Sequence, residues 1–157
     1  MRPSKLDTSK LVPTKNLRGD DEEDTVLLNE MLREAEAFVS KFPWCRSIAE
    51  SCVSEVAIGG VVAAFLFRIE PASPEVDDQL WVIVGDLPPA YLVTDQAPDG
   101  ETALRLYIGE MRRWVEAAKN RLYVDNLIPV EAPPTAENAD ALETRLDYIE
   151  SRILEDD

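Results

Sequence analysis

The sequence contains no histidine, and this absence narrows the chemistry that the chain can perform. Histidine is the commonest general acid or base near neutral pH and the commonest metal ligand. Without it, no Ser–His or Cys–His pair can form, so the usual activated nucleophiles are excluded. Serine activated by lysine stays open, but the five lysines lie in no recognisable motif. We therefore predict no catalytic residues and no enzymatic activity.

Cysteine is scarce, since Cys45 and Cys52 are the only two. On one extended strand, side chains seven positions apart point to opposite faces, so a disulfide between them would need a sharp bend. Two thiols alone do not make a zinc site. We interpret both as buried thiols in a reducing compartment.

Long hydrophobic runs are also missing. The longest apolar run, Val56–Phe67, is too short to span a bilayer. No apolar segment follows Arg2 or Lys5, as it would in a signal peptide. We expect a cytoplasmic protein without a membrane partner.

Positive charge is in deficit, with 16 basic residues against 31 acidic ones and a formal net charge of −15. A hydrophobic fraction of 45% and a length of 157 residues are typical of one folded domain. Residues 1–19 hold five basic residues and one acidic residue, a net charge of +4 that leaves −19 for the rest. The sequence predicts a flexible basic arm over residues 1–19 and one acidic domain over residues 20–157.

The basic arm has one alternative interpretation, a tail that contacts nucleic acid. It contains no aromatic residue and its basic residues are widely spaced. We therefore expect no nucleic-acid partner.

The hydrophobic periodicity predicts an α+β fold. Apolar residues at steps of three and four indicate an N-terminal helix that ends near Lys41. Gly59-Gly60 indicates a hairpin, and short connections between residues 46 and 94 predict a four-stranded antiparallel meander. Two further helices follow, with Asp99 and Thr135 as their N-caps.

The arrangement of layers is less determined. The element order α-β-β-β-β-α-α favours helices packed on one face of the sheet. The central strand, residues 61–69, is apolar on both sides, so either the helices divide between the two faces or a second copy covers one as a homodimer. We expect the large aromatic side chains in the core: Trp44, Trp81, Tyr91, Tyr107 and Trp114.

No motif predicts a metal ion or a cofactor. Asp95, Asp99 and Glu101 beside Gly100 superficially resemble a calcium loop, but the bidentate glutamate at the twelfth position is absent. Capping of the second helix explains these acids. The glycine pair at 59–60 lacks the spacing of a phosphate-binding loop.

Acidic residues concentrate in the last helix, where residues 131–157 hold nine acids against two arginines. Such a face attracts and orients a cationic surface, although a solvated face is the simpler alternative. We predict Glu143, Asp147 and Glu150 as partner-binding residues. Asp77 and Asp78, in an acidic loop between two strands, form a second candidate.

The stretch LWVIVGDLPPAYLVTD, residues 80–95, followed by the helix with Tyr107, Met111 and Trp114, resembles a family of small acidic bacterial proteins without assigned function. In size and acidity the chain is similar to immunity proteins of bacterial toxin systems. It is equally similar to acidic secretion chaperones, although their usual strand-helix order differs. These resemblances imply a protein-binding role and supply no catalytic residues.

We therefore predict a non-enzymatic protein-binding module of the immunity or inhibitor type. It would dock a basic protein, such as a toxin, through its acidic surface. One alternative is a secretion chaperone or adaptor that binds through an apolar face. A second is an enzyme that uses carboxylates or a divalent metal ion.

Overall fold

Five antiparallel strands, arranged in the order of the sequence, form the central layer of the computed structural model, which describes residues 6–154. The strands are β1 (Val12–Pro13), β2 (Cys45–Ile58), β3 (Val62–Pro71), β4 (Gln79–Gly85) and β5 (Leu87–Val93). The helices are α1 (Glu22–Ser40), α2 (Gly100–Lys119) and α3 (Ala136–Ile149), and a π-helical turn, Glu150–Leu154, follows α3.

The α+β class and the meander β2–β5 confirm the coarse prediction, but the sheet has five strands instead of four. The fifth is β1, in which Val12 lies opposite Val53 and Pro13 opposite Cys52. A hydroxyl–hydroxyl hydrogen bond of 2.7 Å between Thr14 and Ser51 continues this contact. A two-residue strand at a sheet edge carries no alternation of apolar residues, so periodicity does not reveal it.

The residues just before α1 pack against the domain. Leu17 is buried in the core beside α1, and the backbone N–H of Gly19 donates to the Thr25 hydroxyl at 2.7 Å. These residues belong to the predicted flexible arm, of which residues 1–5 lie outside the described part of the chain.

The helices divide between the two faces of the sheet. One core joins α1 to Phe65 and Phe67 of β3 and to Val82 of β4. The other joins α2 and α3 to Leu66 and Trp81, the neighbours of those residues on the same strands. The expectation that all helices pack on one face is therefore wrong, and the alternative of two covered faces is correct. Because β3 and β4 are apolar at successive positions, each face needs its own cover.

The helix starts follow the capping prediction. The Asp99 carboxylate accepts a hydrogen bond from the backbone N–H of Thr102 at 2.8 Å, and the Thr135 hydroxyl accepts one from Asn138 at 3.1 Å. Asp21 caps α1 in the same way, with 2.8 Å to the N–H of Asp24. These bonds satisfy backbone donors that the first helical turn leaves free.

Three of the five large aromatic residues lie in the core, as predicted: Trp81, Tyr107 and Trp114. Trp81 donates its indole N–H to the carbonyl of Ala97 at 2.8 Å, which fixes the chain just before α2. Trp44 is half-buried and Tyr91 is 39% exposed, so the prediction fails for Tyr91. None of the helices within residues 6–154 is long and apolar enough to cross a membrane.

Two glycines, one in the sheet and one in a helix, provide a test of the backbone. Gly85, the last residue of β4, has φ of +151°, and a Cβ there would lie 2.2 Å from the Val61 carbonyl oxygen. We expect Gly85→Ala to lower the free energy of unfolding by about 2 kcal/mol or more. Gly109, inside α2, has open space around it, so Gly109→Ala should raise stability by about 0.5–1 kcal/mol.

Urea unfolding of both variants measures the difference. Equal effects of the two substitutions would show that the approach of Val61 to Gly85 does not constrain the fold.

Candidate functional site

A groove runs along the outer edge of β5, the last strand of the sheet. Its cavity measures about 660 Å³, which lies within the range of ligand-binding sites in proteins. The lining comes from four parts of the chain: the end of α1, β5 with the two residues at 95–96, the middle of α2, and the segment between α2 and α3. The residues are Phe38, Lys41, Phe42, Pro88–Val93, Asp95, Gln96, Leu106, Glu110, Asn126–Pro129 and Glu131.

The position of the groove follows from the three-layer arrangement. Helices α1 and α2 cover opposite faces of the sheet, yet both contribute to the lining. Two layers on opposite faces meet only beyond an edge strand. The groove is therefore a slot at the sheet edge, with one wall from each helical layer.

Aromatic side chains form the wall on the α1 side. The ring centroid of Phe42 lies 5.0 Å from that of Trp44, nearly parallel, and 5.3 Å from that of Tyr91. Phe38 packs edge-on against Phe42 at 5.2 Å. All four rings are only partly buried; Phe38, Phe42 and Tyr91 line the cavity, and Trp44 packs against Phe42 and Tyr91 outside the lining.

Aliphatic side chains form the opposite wall. Leu106 of α2 and Leu127 and Ile128 of the following segment are half-buried and line the same cavity. Both walls are thus apolar. An occupant that covers them is stabilised in proportion to the apolar area that it removes from water.

The charged groups of the lining are mostly carboxylates. Asp95, Glu110 and Glu131 face a single cation, Lys41, whose Nζ lies 3.1 Å from a Glu131 oxygen. Glu110 has a loose contact of 3.6 Å with Arg113 of the next helical turn. Asp95 is exposed and has no ion-pair partner within the described part of the chain. The groove therefore favours a cationic occupant over an anionic one.

The first part of β5 has few free backbone groups along its outer edge. Pro88 and Pro89 have no N–H to donate. The Tyr107 hydroxyl donates to the carbonyl of Pro88, so part of this edge is already satisfied from within. Burial raises the pKa of Tyr107 far above its ordinary value, which keeps the hydroxyl protonated as a donor.

The structure places the predicted acids of α3 and of the π-helical turn that follows it against the cations of α2. Arg112 lies between Asp147, at 3.1 Å, and Glu150, at 2.6 Å. Lys119 contacts Glu143 in the same way, and this hydrogen bond raises the pKa of Lys119. The three carboxylates share one seam between the helices, where each already has a cationic partner.

The second predicted pair lies elsewhere. Asp77 and Asp78 are exposed in the turn between β3 and β4, beside a shallow hollow of about 470 Å³. The Asp78 carbonyl accepts a hydrogen bond from the Ile69 N–H at 2.8 Å, which fixes the turn. Neither carboxylate makes an ion pair within 4 Å among the described residues.

The three acids that resemble a calcium loop perform separate tasks. Asp99 caps α2, Glu101 pairs with Arg105 at 2.9 Å, and Asp95 lies on the rim of the groove. Within residues 6–154, no group of three or more cysteine, aspartate or glutamate side chains is arranged to hold a metal ion.

Both cysteines lie in β2 as free thiols. Burial raises the pKa of Cys45, and burial together with the charge of Glu50 raises that of Cys52. A raised pKa leaves less thiolate at neutral pH, so both side chains are weak nucleophiles.

Comparisons of the chain with protein-family profiles, curated proteins and solved structures found no match.

The groove was not predictable from the sequence, because its parts are distant in the chain. One signal was present: Phe42 and Trp44 follow the last apolar position of α1, outside its buried stripe. Large aromatic side chains outside a core pattern indicate a binding surface more often than those within it.

The ion pairs of α3 give a second testable prediction. Arg112→Gln leaves Asp147 and Glu150 without their cation, so we expect a loss of about 1 kcal/mol of stability. Arg113→Gln is the matched control, because that arginine has only the loose contact with Glu110, and its effect should stay below about 0.5 kcal/mol. Urea unfolding at low salt measures both. Equal effects would mean that the α2–α3 seam does not use these carboxylates.

Proposed function

We propose that this protein is a non-enzymatic protein-binding module, of the immunity or inhibitor kind, that docks a basic protein in the groove along β5. One observation carries the proposal. The groove combines two apolar walls with three carboxylates and a single lysine. A cationic protein segment with apolar side chains is the complement of such a site.

The charge of the whole chain supports the same function. A net charge of −15 creates a negative field that raises the encounter rate with a cationic partner and disfavours acidic ones. The apolar walls then hold the partner after the encounter, because short-range burial does not depend on salt. Steering and holding thus belong to different parts of the same surface.

The ion pair between Lys41 and Glu131 suggests how the partner enters. Its side chains are 50% and 81% exposed, and an exposed pair contributes only about 0–1 kcal/mol. A lysine or arginine of the partner would replace Lys41 beside Glu131 at little cost. Lys41 would turn out to solvent and also give up its contact with the Phe38 ring, whose centroid lies 5.2 Å from Nζ, and an exposed contact of this kind contributes only about 0.5–1 kcal/mol.

The available reactive groups support a binding role. The chain has no histidine, and both thiols have a raised pKa. The buried Tyr107 hydroxyl is engaged as a donor to Pro88. None of these groups stands in the groove as an activated nucleophile or base.

The acidic residues predicted from the sequence have a different relation to the proposal. Glu143, Asp147 and Glu150 would have to give up Arg112 or Lys119 before they contact a partner. Among the described residues, Asp77 and Asp78 make no ion pair within 4 Å, although the charge of Asp78 acts on nearby Arg68. They lie beside a shallow hollow and not between two apolar walls. We therefore assign docking to the groove, and the acidic turn at 77–78 is the comparison surface.

The apolar walls also favour the second candidate, a secretion chaperone or adaptor that binds through apolar contacts. The two functions differ in their response to salt. An inhibitor steered by charge loses affinity as screening increases, whereas an adaptor held by apolar walls alone does not.

The third prediction concerns the partner captured and identified from the organism's own lysate, then purified. At about 0.5 M salt, where the screening length is only about 4 Å, we expect its affinity for this protein to fall at least tenfold. The double variant Asp95→Lys/Glu131→Lys should weaken binding by a similar factor at low salt. Titration calorimetry measures each affinity.

Matched variants make the result specific to the groove. Asp77→Lys/Asp78→Lys changes the net charge by the same amount in the comparison turn and should have a smaller effect. Tyr91→Ala should reduce affinity about fivefold or more, whereas Tyr148→Ala, which alters a tyrosine of similar exposure on α3, should not. Equal losses at both charged sites, or none for Tyr91→Ala, would contradict docking in the groove. Unchanged affinity at high salt would favour the adaptor.

A further inference from the structure

The residues of β5 that line the groove indicate how an occupant would lie in it. Six consecutive residues of β5, Pro88–Val93, line it. Successive side chains of a strand point to opposite faces of the sheet, so a cavity on one face would touch only alternate residues. Contact with all six means that the cavity follows the edge itself, beside the unpaired side of the strand.

We propose that the occupant is an extended segment of the basic partner, which adds to β5 as a further strand. The inference rests on the proposed function and names the form in which the partner binds. Strand addition to a sheet edge is a common mode of peptide recognition, in which backbone hydrogen bonds supply affinity and flanking side-chain sites supply specificity.

The length of the pairing is limited by the prolines. Pro88 and Pro89 have no N–H, and the Pro88 carbonyl accepts from Tyr107. Pairing is therefore confined to Ala90–Val93, about four residues of the partner. Within such a stretch, alternate residues direct their N–H and C=O groups toward the groove.

Both faces of the added strand would meet apolar side chains. Tyr91 lies opposite Val82, in the layer of α1, and so points toward Phe38 and Phe42. Leu92 lies opposite Trp81, in the layer of α2, on the side of Leu106. The central residues of the partner segment should therefore be apolar at successive positions instead of alternating.

The ends of the segment should be basic. Asp95 lies two residues beyond the end of β5, and Glu110 and Glu131 stand on the other parts of the rim. Lysine or arginine on either side of an apolar centre places charge near these carboxylates. A second copy of this chain is a poor occupant, because its own β5 would bring Pro88, Pro89 and the same three carboxylates.

The test uses synthetic eight-residue peptides and the full chain. The probe has four central aliphatic residues, Val-Ile-Val-Val, between pairs of lysines. One control replaces the four lysines by glutamates. Two further controls keep every side chain but carry N-methyl groups on alternate central amides. One is methylated on the amides that face one edge of the peptide strand, and the other on the amides that face the opposite edge. Titration calorimetry gives the affinities, and NMR hydrogen exchange follows the amides of Ala90–Val93.

We expect the lysine peptide to bind and to slow exchange of alternate amides in Ala90–Val93 at least tenfold. The glutamate peptide should bind at least tenfold more weakly, because it loses the charge attraction. One of the two N-methylated peptides should also bind at least tenfold more weakly, because it loses about two backbone hydrogen bonds. If both N-methylated peptides bind as tightly as the lysine peptide and no amide of Ala90–Val93 is protected from exchange, strand addition is overturned. Such a result leaves the proposed function intact if the captured partner still responds to Tyr91→Ala and Asp95→Lys/Glu131→Lys.

The remaining outcomes are also decisive. Tight binding of a small apolar molecule with no peptide binding would make the groove a ligand pocket and overturn the inference. Self-association by light scattering that competes with the lysine peptide would identify a second copy as the occupant and overturn it as well. Failure of the groove variants to affect the captured partner, together with peptide binding, would instead refute the proposed function alone.

Discussion

Strands β3 and β4 at the centre of the sheet determine the architecture, because both of their faces are apolar and must be buried. Residues 62–67 of β3 and 80–84 of β4 are all buried. Such a pair must be covered on both sides, so α1 takes one face while α2 and α3 take the other. With both faces covered by its own helices, the sheet offers a partner only its edges. The helical layers extend past β5, and the space between them is the groove.

The same arrangement determines how the excess negative charge is used. The helices of one layer need to pack closely, so cations of α2 meet carboxylates of α3 in pairs, as Arg112 does with Asp147 and Glu150. Acids used in this way lose most of their attraction for a partner. Among the described residues, Asp95 has no ion-pair partner, Glu110 has only the weak contact with Arg113, and Glu131 pairs with the exposed Lys41. Net charge is thus a poor guide to a docking site, and local imbalance is a better one.

The parts of the fold that depend on local pattern were predictable from the sequence. The N-caps Asp99 and Thr135, the hairpin at Gly59-Gly60 and the meander β2–β5 each arise from a few neighbouring residues. The strand β1 was not, because backbone pairing of two residues leaves no periodic trace. The groove was not, because Phe42, Leu92 and Leu127 come together only through the packing of three layers. For the same reason Tyr91, which has a core-like local pattern, proved to be partly exposed at the edge.

An uncovered sheet edge invites unwanted pairing with any strand, and β5 restricts that hazard in two ways. Pro88 and Pro89 remove the donors of two of the seven residues of β5, so a long strand cannot pair along it. The carboxylates at Asp95, Glu110 and Glu131 repel acidic segments, including those of another copy of this chain. These restrictions still allow a short segment with an apolar centre and basic ends to pair with β5. The features that protect the edge against aggregation are therefore the same features that would select the partner we propose, and they allow a highly acidic chain to retain an open apolar slot.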